Sequence, residues 1–272
     1  MSAVAEKAAP AAASEPVLLR ETKGAVATLT LNRPKQYNAL SEALLDELAA
    51  AIARLAKEDA VRVVVIAASG PAFCAGHDLK EMRQRREADY YRALFAKCGE
   101  VMQGLVRLPQ PVIARVHGIA TAAGCQLVAA CDLAIASKAA RFATSGINVG
   151  LFCSVPAVPV SRNVGRKQSF EMLMTGDFIS AEEAARHGLV NEAVEPEALD
   201  ARVAELAAKI VAKSPLAVRL GKEMFYKQIE LGLAAAYDYA GEVMACNMMA
   251  DDVAQGIDAF AAKAPAPKWK GR

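Results

Sequence analysis

The chain has 272 residues, 54% of them hydrophobic and 23% charged, enough for one large core or a core with a smaller lobe. Its formal charge of +2, from 32 Lys and Arg against 30 Asp and Glu, offers none of the basic surface that nucleic-acid binding demands. No apolar run approaches the ~20 residues of a membrane helix.

The six cysteines (Cys74, Cys98, Cys125, Cys131, Cys153, Cys246) sit in apolar or small-residue settings. They form no CxxC pair and have no histidine at zinc spacing, so the sequence predicts buried thiols, a reducing compartment and no metal site. The opening stretch, Met1–Pro16, is Ala-rich with one Lys and no Arg. It matches neither a signal peptide nor a transit peptide and reads as a disordered tail.

Val26–Leu31 alternates apolar residues with Thr and predicts a strand, ended by Asn32-Arg33-Pro34-Lys35. Ser41 is a candidate N-cap for a helix presenting Leu44, Leu48, Ile52 and Leu55 on one face. Val61–Ala67 is a continuous apolar run with one Arg, expected to be a buried parallel strand. A small-residue loop, Ser69–Lys80, follows. Tyr91, Leu94, Cys98, Val101 and Leu105 mark a helix that stops before Pro109.

Pro111–Val116 predicts another buried strand. It leads into a turn built of small residues, Gly118 to Gly124, and then a short apolar helix. Leu133–Ala136 is a short strand. Phe142–Pro159, with two Gly and two Pro, predicts a loop folded on the core. Val164–Thr175 reads as a helix ending at Gly176. Ser180-Ala-Glu-Glu183 is a capping box for a short helix closed by Gly188. Leu199, Val203, Leu206 and Ile210 give an amphipathic helix closed by Ser214-Pro215. From Pro215 to Lys263 the pattern is helical throughout and too apolar to stand free, so it should pack on the core or on other subunits. The predicted organisation is a tail (1–16), an α/β core (17–210) and a helical oligomerisation lobe (211–272).

Two loops stand out. Ala72–Lys80 and Ala120–Gln126 each follow a buried strand and each pair small residues with a helix start. Such turns leave backbone N–H groups free at the positive end of a helix dipole. Two of them converging on one oxygen would stabilise an enolate or a tetrahedral oxyanion. Spacing alone leaves open the plainer reading of tight turns that need small residues for packing.

Phe73-Cys-Ala-Gly-His-Asp-Leu-Lys-Glu-Met82 and His117-Gly-Ile-Ala-Thr-Ala-Ala-Gly-Cys-Gln126 resemble the two oxyanion-hole motifs of the crotonase superfamily (enoyl-CoA hydratase/isomerase). Leu31-Asn-Arg-Pro, Cys131-Asp-Leu-Ala, Met174-Thr-Gly-Asp-Phe-Ile-Ser-Ala-Glu-Glu-Ala and Gly188-Leu-Val-Asn191 are similar to it as well. Ala120–Cys131 and Asn148–Ser154 resemble the mitochondrial enoyl-CoA hydratase domain-containing type 3 branch.

The resemblance implies a spiral of ββα units with a C-terminal helical lobe, assembled as a homotrimer or a dimer of trimers. It implies an acyl-CoA or enoyl-CoA ligand, no other cofactor, and a place in fatty acid metabolism. The backbone N–H groups of His77 and Ala123 would hold the thioester oxygen. Ala75, His77, Asp78, Leu79 and Lys80 would line the coenzyme A path. Arg33 and Lys35 would lie near the nucleotide end, unless they are plain solvated charges. Phe260 and Lys263 would complete the site, from an adjacent subunit. The compartment expected is the cytoplasm, with the mitochondrial matrix as the alternative.

The resemblance also carries a departure. The family's hydratases use two glutamates, and the matching positions here are Gln126 and Gly146. Glutamine can hydrogen-bond a water but cannot take its proton, and glycine has no side chain. Hydration by the two-glutamate route is therefore expected to be very slow, and restoring both glutamates is expected to raise it. Three alternatives stay open: chemistry through a Gln126-held water or another acid or base, a catalytically silent acyl-CoA binder, and a different crotonase reaction such as isomerisation or thioester hydrolysis. Ser154 stands where an aromatic dehalogenase branch carries a nucleophilic Asp, with Cys153 beside it. If Ala123 adopted a positive φ, its methyl would cost roughly 1 kcal/mol.

Overall fold

The computed structural model describes residues 15–272. Most of the predicted tail, residues 1–14, lies outside the described residues. Pro16 is already tied to the core, its carbonyl accepting from Asn32 Nδ2 at 2.9 Å.

The chain is a succession of strand–strand–helix units. First come β1 (Leu18–Lys23), β2 (Val26–Leu31) and α1 (Glu42–Leu55). Then follow β3 (Val63–Ala68), β4 (Ala72–Cys74), α2 (Leu79–Gln84) and α3 (Ala88–Arg107). The third unit is β5 (Val112–Val116), β6 (Ile119–Thr121) and α4 (Ala123–Ala130). The fourth is β7 (Leu133–Ser137), β8 (Arg141–Ala143), α5 (Ser154–Asn163) and α6 (Arg166–Thr175). β9 (Ile179–Ser180), α7 (Ala181–Arg186), β10 (Glu192–Val194) and α8 (Leu199–Val211) close the spiral. Then α9 (Pro215–Gln228), α10 (Leu233–Met248) and α11 (Asp251–Ala261) extend from it.

In the second to fourth units the first strand joins a large sheet, ordered β1-β2-β3-β5-β7-β10, and the second joins a small one, β4-β6-β8-β9. The large sheet is parallel except for the β1–β2 hairpin. Burial on both faces explains the near-continuous apolar run of β3. Val64 and Ile66 face the main core with the helices, whereas Val63 and Val65 pack with Ile113 and Ile135 against Leu199, Val203 and Ala207 of α8.

Local signals act as predicted at the helix ends. Ser41 caps α1, accepting from the Leu44 N–H at 3.2 Å. Ser180 and Glu183 form the reciprocal capping box of α7, and Gly176 and Gly188 take positive φ just past α6 and α7.

Two expectations need correction, and one strand was not anticipated. The stretch Phe142–Pro159 is not one loop: it holds most of β8, a 3-10 turn over Ser145–Val149 and the first half of α5. Pro156 sits in the first helical turn, where N–H groups have no intrahelical partner anyway, and only Pro159 removes a ladder bond. Ser214 opens α9 as its N-cap rather than merely closing α8, accepting from Ala217 N–H at 3.3 Å. β1 carries no apolar alternation and was not legible.

The C-terminal helices are tied to the core by buried charge. Lys222 of α9 donates to the carbonyls of Leu105 (2.8 Å) and Gln110 (3.0 Å) and to Asp132 Oδ2 (2.7 Å). The same Asp132 oxygen accepts from Val112 N–H at 2.6 Å. Burial pushes the Lys222 ammonium below the usual lysine range, against the pull of Asp132.

Asp252 of α11, 2% exposed, clasps the end of the chain. It accepts from the Ser214 hydroxyl at 2.6 Å and from the N–H groups of Lys270 (2.7 Å) and Gly271 (2.9 Å). α10, by contrast, has no buried residue. Among the described residues no helix is long and apolar enough to cross a membrane.

Candidate active site

β4, β6 and β8 are parallel neighbours in the small sheet, with Cys74 opposite Ala120 and Thr121 opposite Ala143. Their C-terminal ends therefore lie side by side. Those ends lead to Ala75-Gly76-His77, to Ala122-Ala123 and to Thr144-Ser145-Gly146, and topology brings together loops some 45 and 25 residues apart in sequence.

The first two loops touch backbone to backbone. A Cβ on Gly76 would lie 2.9 Å from Ala122 Cβ and 3.2 Å from Ala123 N, and one on Gly124 would lie 2.1 Å from the Cys74 carbonyl oxygen. Only glycine permits either approach.

The N–H groups of His77 and Ala123 are both left without an acceptor among the described residues. Around His77, the Gly76 carbonyl accepts from Leu40 N–H at 2.7 Å, and Asp78 N–H donates to Leu40 at 3.2 Å. The His77 N–H between them has no partner. Ala123 is the first residue of α4, so its N–H precedes the helical ladder. α4 is buried along its whole length and carries no charge, so its dipole end faces the same place unscreened. Positive φ falls on Ala122 (φ 51°, ψ −119°) and not on Ala123, so any strain precedes the second amide.

A cavity of about 300 Å³ opens over these amides. His77, Ala122 and Ala123 form one side. Leu79, Met82, Phe95, Val149, Leu151 and Phe152 make it apolar, and Ser145, Gly146, Cys153 and Ser154 close it. Phe95 lies off the helical stripe that the sequence singled out, and it is the α3 residue that reaches the cavity. No carboxylate stands among these walls.

The His77 side chain enters the cavity edge-on to Phe95, with ring centroids 5.6 Å apart. Its Nδ1 is buried without a hydrogen-bond partner. Burial lowers its pKa below the usual imidazole value, and the Leu40 main chain opposes this only in part. Burial raises the Cys153 thiol, offset in part by the Gly146 N–H. The one hydrogen bond of the Ser154 hydroxyl runs to the Phe152 carbonyl at 3.5 Å, and no base adjoins it.

The other anticipated positions divide. Ala75 and Leu79 line the cavity. Lys80, with Leu79 and Arg83, lines a shallower depression that adjoins it through Leu79. Gln126 does not line the cavity. Its side chain is buried, with Oε1 accepting from the Cys98 thiol at 3.9 Å.

Arg33 is not a plain solvated charge. It donates to the Ala39 carbonyl at 2.5 Å and to Asp78 Oδ2 at 3.0 Å, while Asp78 Oδ1 caps α2 through the N–H groups of Lys80 and Glu81. This clamp fixes the residue after His77. Asn38, unmarked in the sequence, buttresses it: its Oδ1 accepts from Arg33 N–H and its Nδ2 donates to Ser69 and Ala72 carbonyls, at 2.7–2.8 Å. Lys35 is exposed on a 3-10 turn. Phe260, 85% exposed, and Lys263 line neither cavity.

Two interleaved sheets with paired strand-end amides over an apolar cavity define a crotonase-fold protein. The chain belongs to the enoyl-CoA hydratase/isomerase family, whose model matches residues 21–272. A crystal structure of an enoyl-CoA hydratase from Mycobacterium smegmatis superimposes with a TM-score of 0.92 at 58% identity, covering 94% of this chain and 99% of that one. The human enoyl-CoA hydratase domain-containing protein 3 gives 0.90 at 42% identity, covering 93% and 100%. The mouse mitochondrial protein of that name is 46% identical over 258 residues, 94% of this chain and 85% of that one.

Proposed function

We propose that this protein binds an acyl- or enoyl-CoA thioester, whose carbonyl oxygen accepts hydrogen bonds from the His77 and Ala123 N–H groups. One observation carries the reading: two unpartnered amides stand at the ends of adjacent strands, one of them at the dipole end of an uncharged helix. The apolar walls suit an acyl chain, and the depression beside Leu79, with Lys80 and Arg83, suits the anionic part of coenzyme A.

Hydration by a carboxylate pair is not expected, because the cavity walls hold none and a positioned acid or base contributes about 10²–10⁴-fold. Thioester hydrolysis through Ser154 or Cys153 is disfavoured, since neither side chain is hydrogen-bonded to a base. Calorimetry with butyryl-CoA, against free coenzyme A and butyrate, tests the reading. Tighter binding of the thioester is expected, and equal affinity for coenzyme A alone overturns it. Crotonyl-CoA hydration close to the solvent rate is expected beside it.

Assembly is part of the proposal. An apolar helix without one buried residue, α10 exposes Leu233, Tyr237, Met244 and Met248, more than a free surface normally tolerates. A homotrimer or dimer of trimers would cover it and bring Phe260 and Lys263 to a neighbour's cavity. Sedimentation of a monomer at micromolar concentration would end that part. All six cysteines are unpaired, which suits a reducing compartment, as both the cytoplasm and the mitochondrial matrix are. The mouse and human relatives are named as mitochondrial proteins, which speaks for the matrix.

A further inference from the structure

The cavity walls contain two ionisable side chains, the His77 imidazole and the Cys153 thiol. The thiol is buried and keeps its proton. The imidazole belongs to the residue whose N–H faces the cavity, so backbone and side chain address neighbouring atoms of one ligand. Its Nδ1 is buried without a partner, and Nε2 makes no hydrogen bond among the described residues, so neither ring nitrogen is committed elsewhere in the fold.

We propose that His77 is a catalytic residue whose Nε2 exchanges a proton with the α-carbon of a thioester held by its own N–H and that of Ala123, in place of the missing carboxylates. This rests on the thioester reading above. In the step, the α-carbon–hydrogen bond breaks and the proton passes to Nε2. The electron pair moves into the carbon–carbon bond of the enolate, and the negative charge settles on the oxygen between the two amides. Return of a proton from the imidazolium to the same carbon regenerates the thioester, so no oxidant or co-reactant is consumed.

The environment supports the base role. Phe95 from α3 lies edge-on to the ring and the Leu40 main chain adjoins it, and neither is charged. The nearest acid in sequence, Asp78, is engaged by Arg33 and the α2 cap. A desolvated, uncharged setting keeps imidazole in its free-base form at neutral pH, with its lone pair available. The same setting makes it a weaker base, so exchange is read at high enzyme concentration.

The experiment incubates the full chain with butyryl-CoA in D₂O and follows deuterium at the α-carbon by mass spectrometry, beside calorimetry with the same thioester. Wild type is expected to bind and to exchange above the solvent rate. His77→Ala keeps the main-chain N–H, so it is expected to bind within about threefold and to exchange about 10²-fold more slowly, with added imidazole restoring part of the rate. If His77→Ala does not fold, His77→Gln, closer in volume, carries the test. Exchange at the wild-type rate in the variant, or binding without exchange in wild type, overturns the inference while leaving the thioester reading intact. Failure of wild type to bind butyryl-CoA overturns that reading and the inference with it.

Discussion

Gly124→Ala puts the contact between the two amide-bearing loops under direct strain. The added Cβ would lie 2.1 Å from the Cys74 carbonyl oxygen, 2.7 Å from its carbon and 2.8 Å from Cys74 Cβ. To reach van der Waals distance the loops must part by roughly 1 Å. Two of these three atoms are backbone, Cys74 is fully buried and the Gly124 helix is buried throughout, so no flexible side chain can yield. Overpacking of a tight core costs about 1–3 kcal/mol, and this site belongs at the upper end. For a chain of this length that is a fall in melting temperature of roughly 5–10 °C.

The functional effect should exceed the thermal one. The displacement falls between His77 N–H and Ala123 N–H, and a misplacement of about 1 Å at reacting groups costs about 10²-fold in rate. Butyryl-CoA affinity, with one hydrogen bond weakened, should fall less than tenfold. Thermal unfolding, calorimetry and α-deuterium exchange on one preparation read all three quantities. A Gly124→Ala variant that melts and exchanges as wild type does would refute the argument that these loops are held at contact distance.

Ala122→Gly should stabilise the protein by about 1 kcal/mol in urea unfolding, since relief of positive-φ strain outweighs glycine's backbone entropy; a destabilised variant would contradict this. Lys222→Met should cost about 3 kcal/mol, because it leaves Asp132 buried and unpaired, and a loss under 1 kcal/mol would mean the pair is solvated. Burial raises the Asp252 carboxyl, but the Ser214 hydroxyl, the Lys270 and Gly271 N–H groups and Arg62 outweigh it and hold the pKa below the usual value. Its stabilisation is therefore full above the ordinary carboxylate range and is lost as pH falls through the lower folded value. Trp269, the sole tryptophan, donates to the Ala212 carbonyl at 2.7 Å, so its fluorescence should change in that acid window, and the step should vanish in Asp252→Asn. Gln126→Glu with Gly146→Glu should not restore hydration of crotonyl-CoA, contrary to the expectation from sequence. A Cβ at 146 would lie 2.5 Å from the Leu151 carbonyl oxygen and 2.8 Å from Cys153 Sγ, and residue 126 does not line the cavity.

Elements with strong local signals were legible in the sequence: β2 by alternation, α1 by Ser41 and its apolar stripe, α7 by its capping box. β1 was not, because five of its six residues are exposed and no burial period marks it. The three-residue strands β4, β6 and β8 are too short to carry a period, yet their adjacency is what brings the amides together. The residues of the site followed the same division. The loops were found by composition and resemblance. The commitment of Arg33 to Asp78, the turning of Gln126 toward Cys98 and the positive φ at Ala122 depend on side-chain and backbone directions that no spacing encodes.

The buried Asp132–Lys222 pair joins α4 to the terminal helices by charge. Asp132 follows the last turn of α4, the helix whose first residue lines the cavity, and Lys222 belongs to α9, next to the bare surface of α10. A neighbour that docked on the terminal helices would press on elements tied by charge to the far end of that helix.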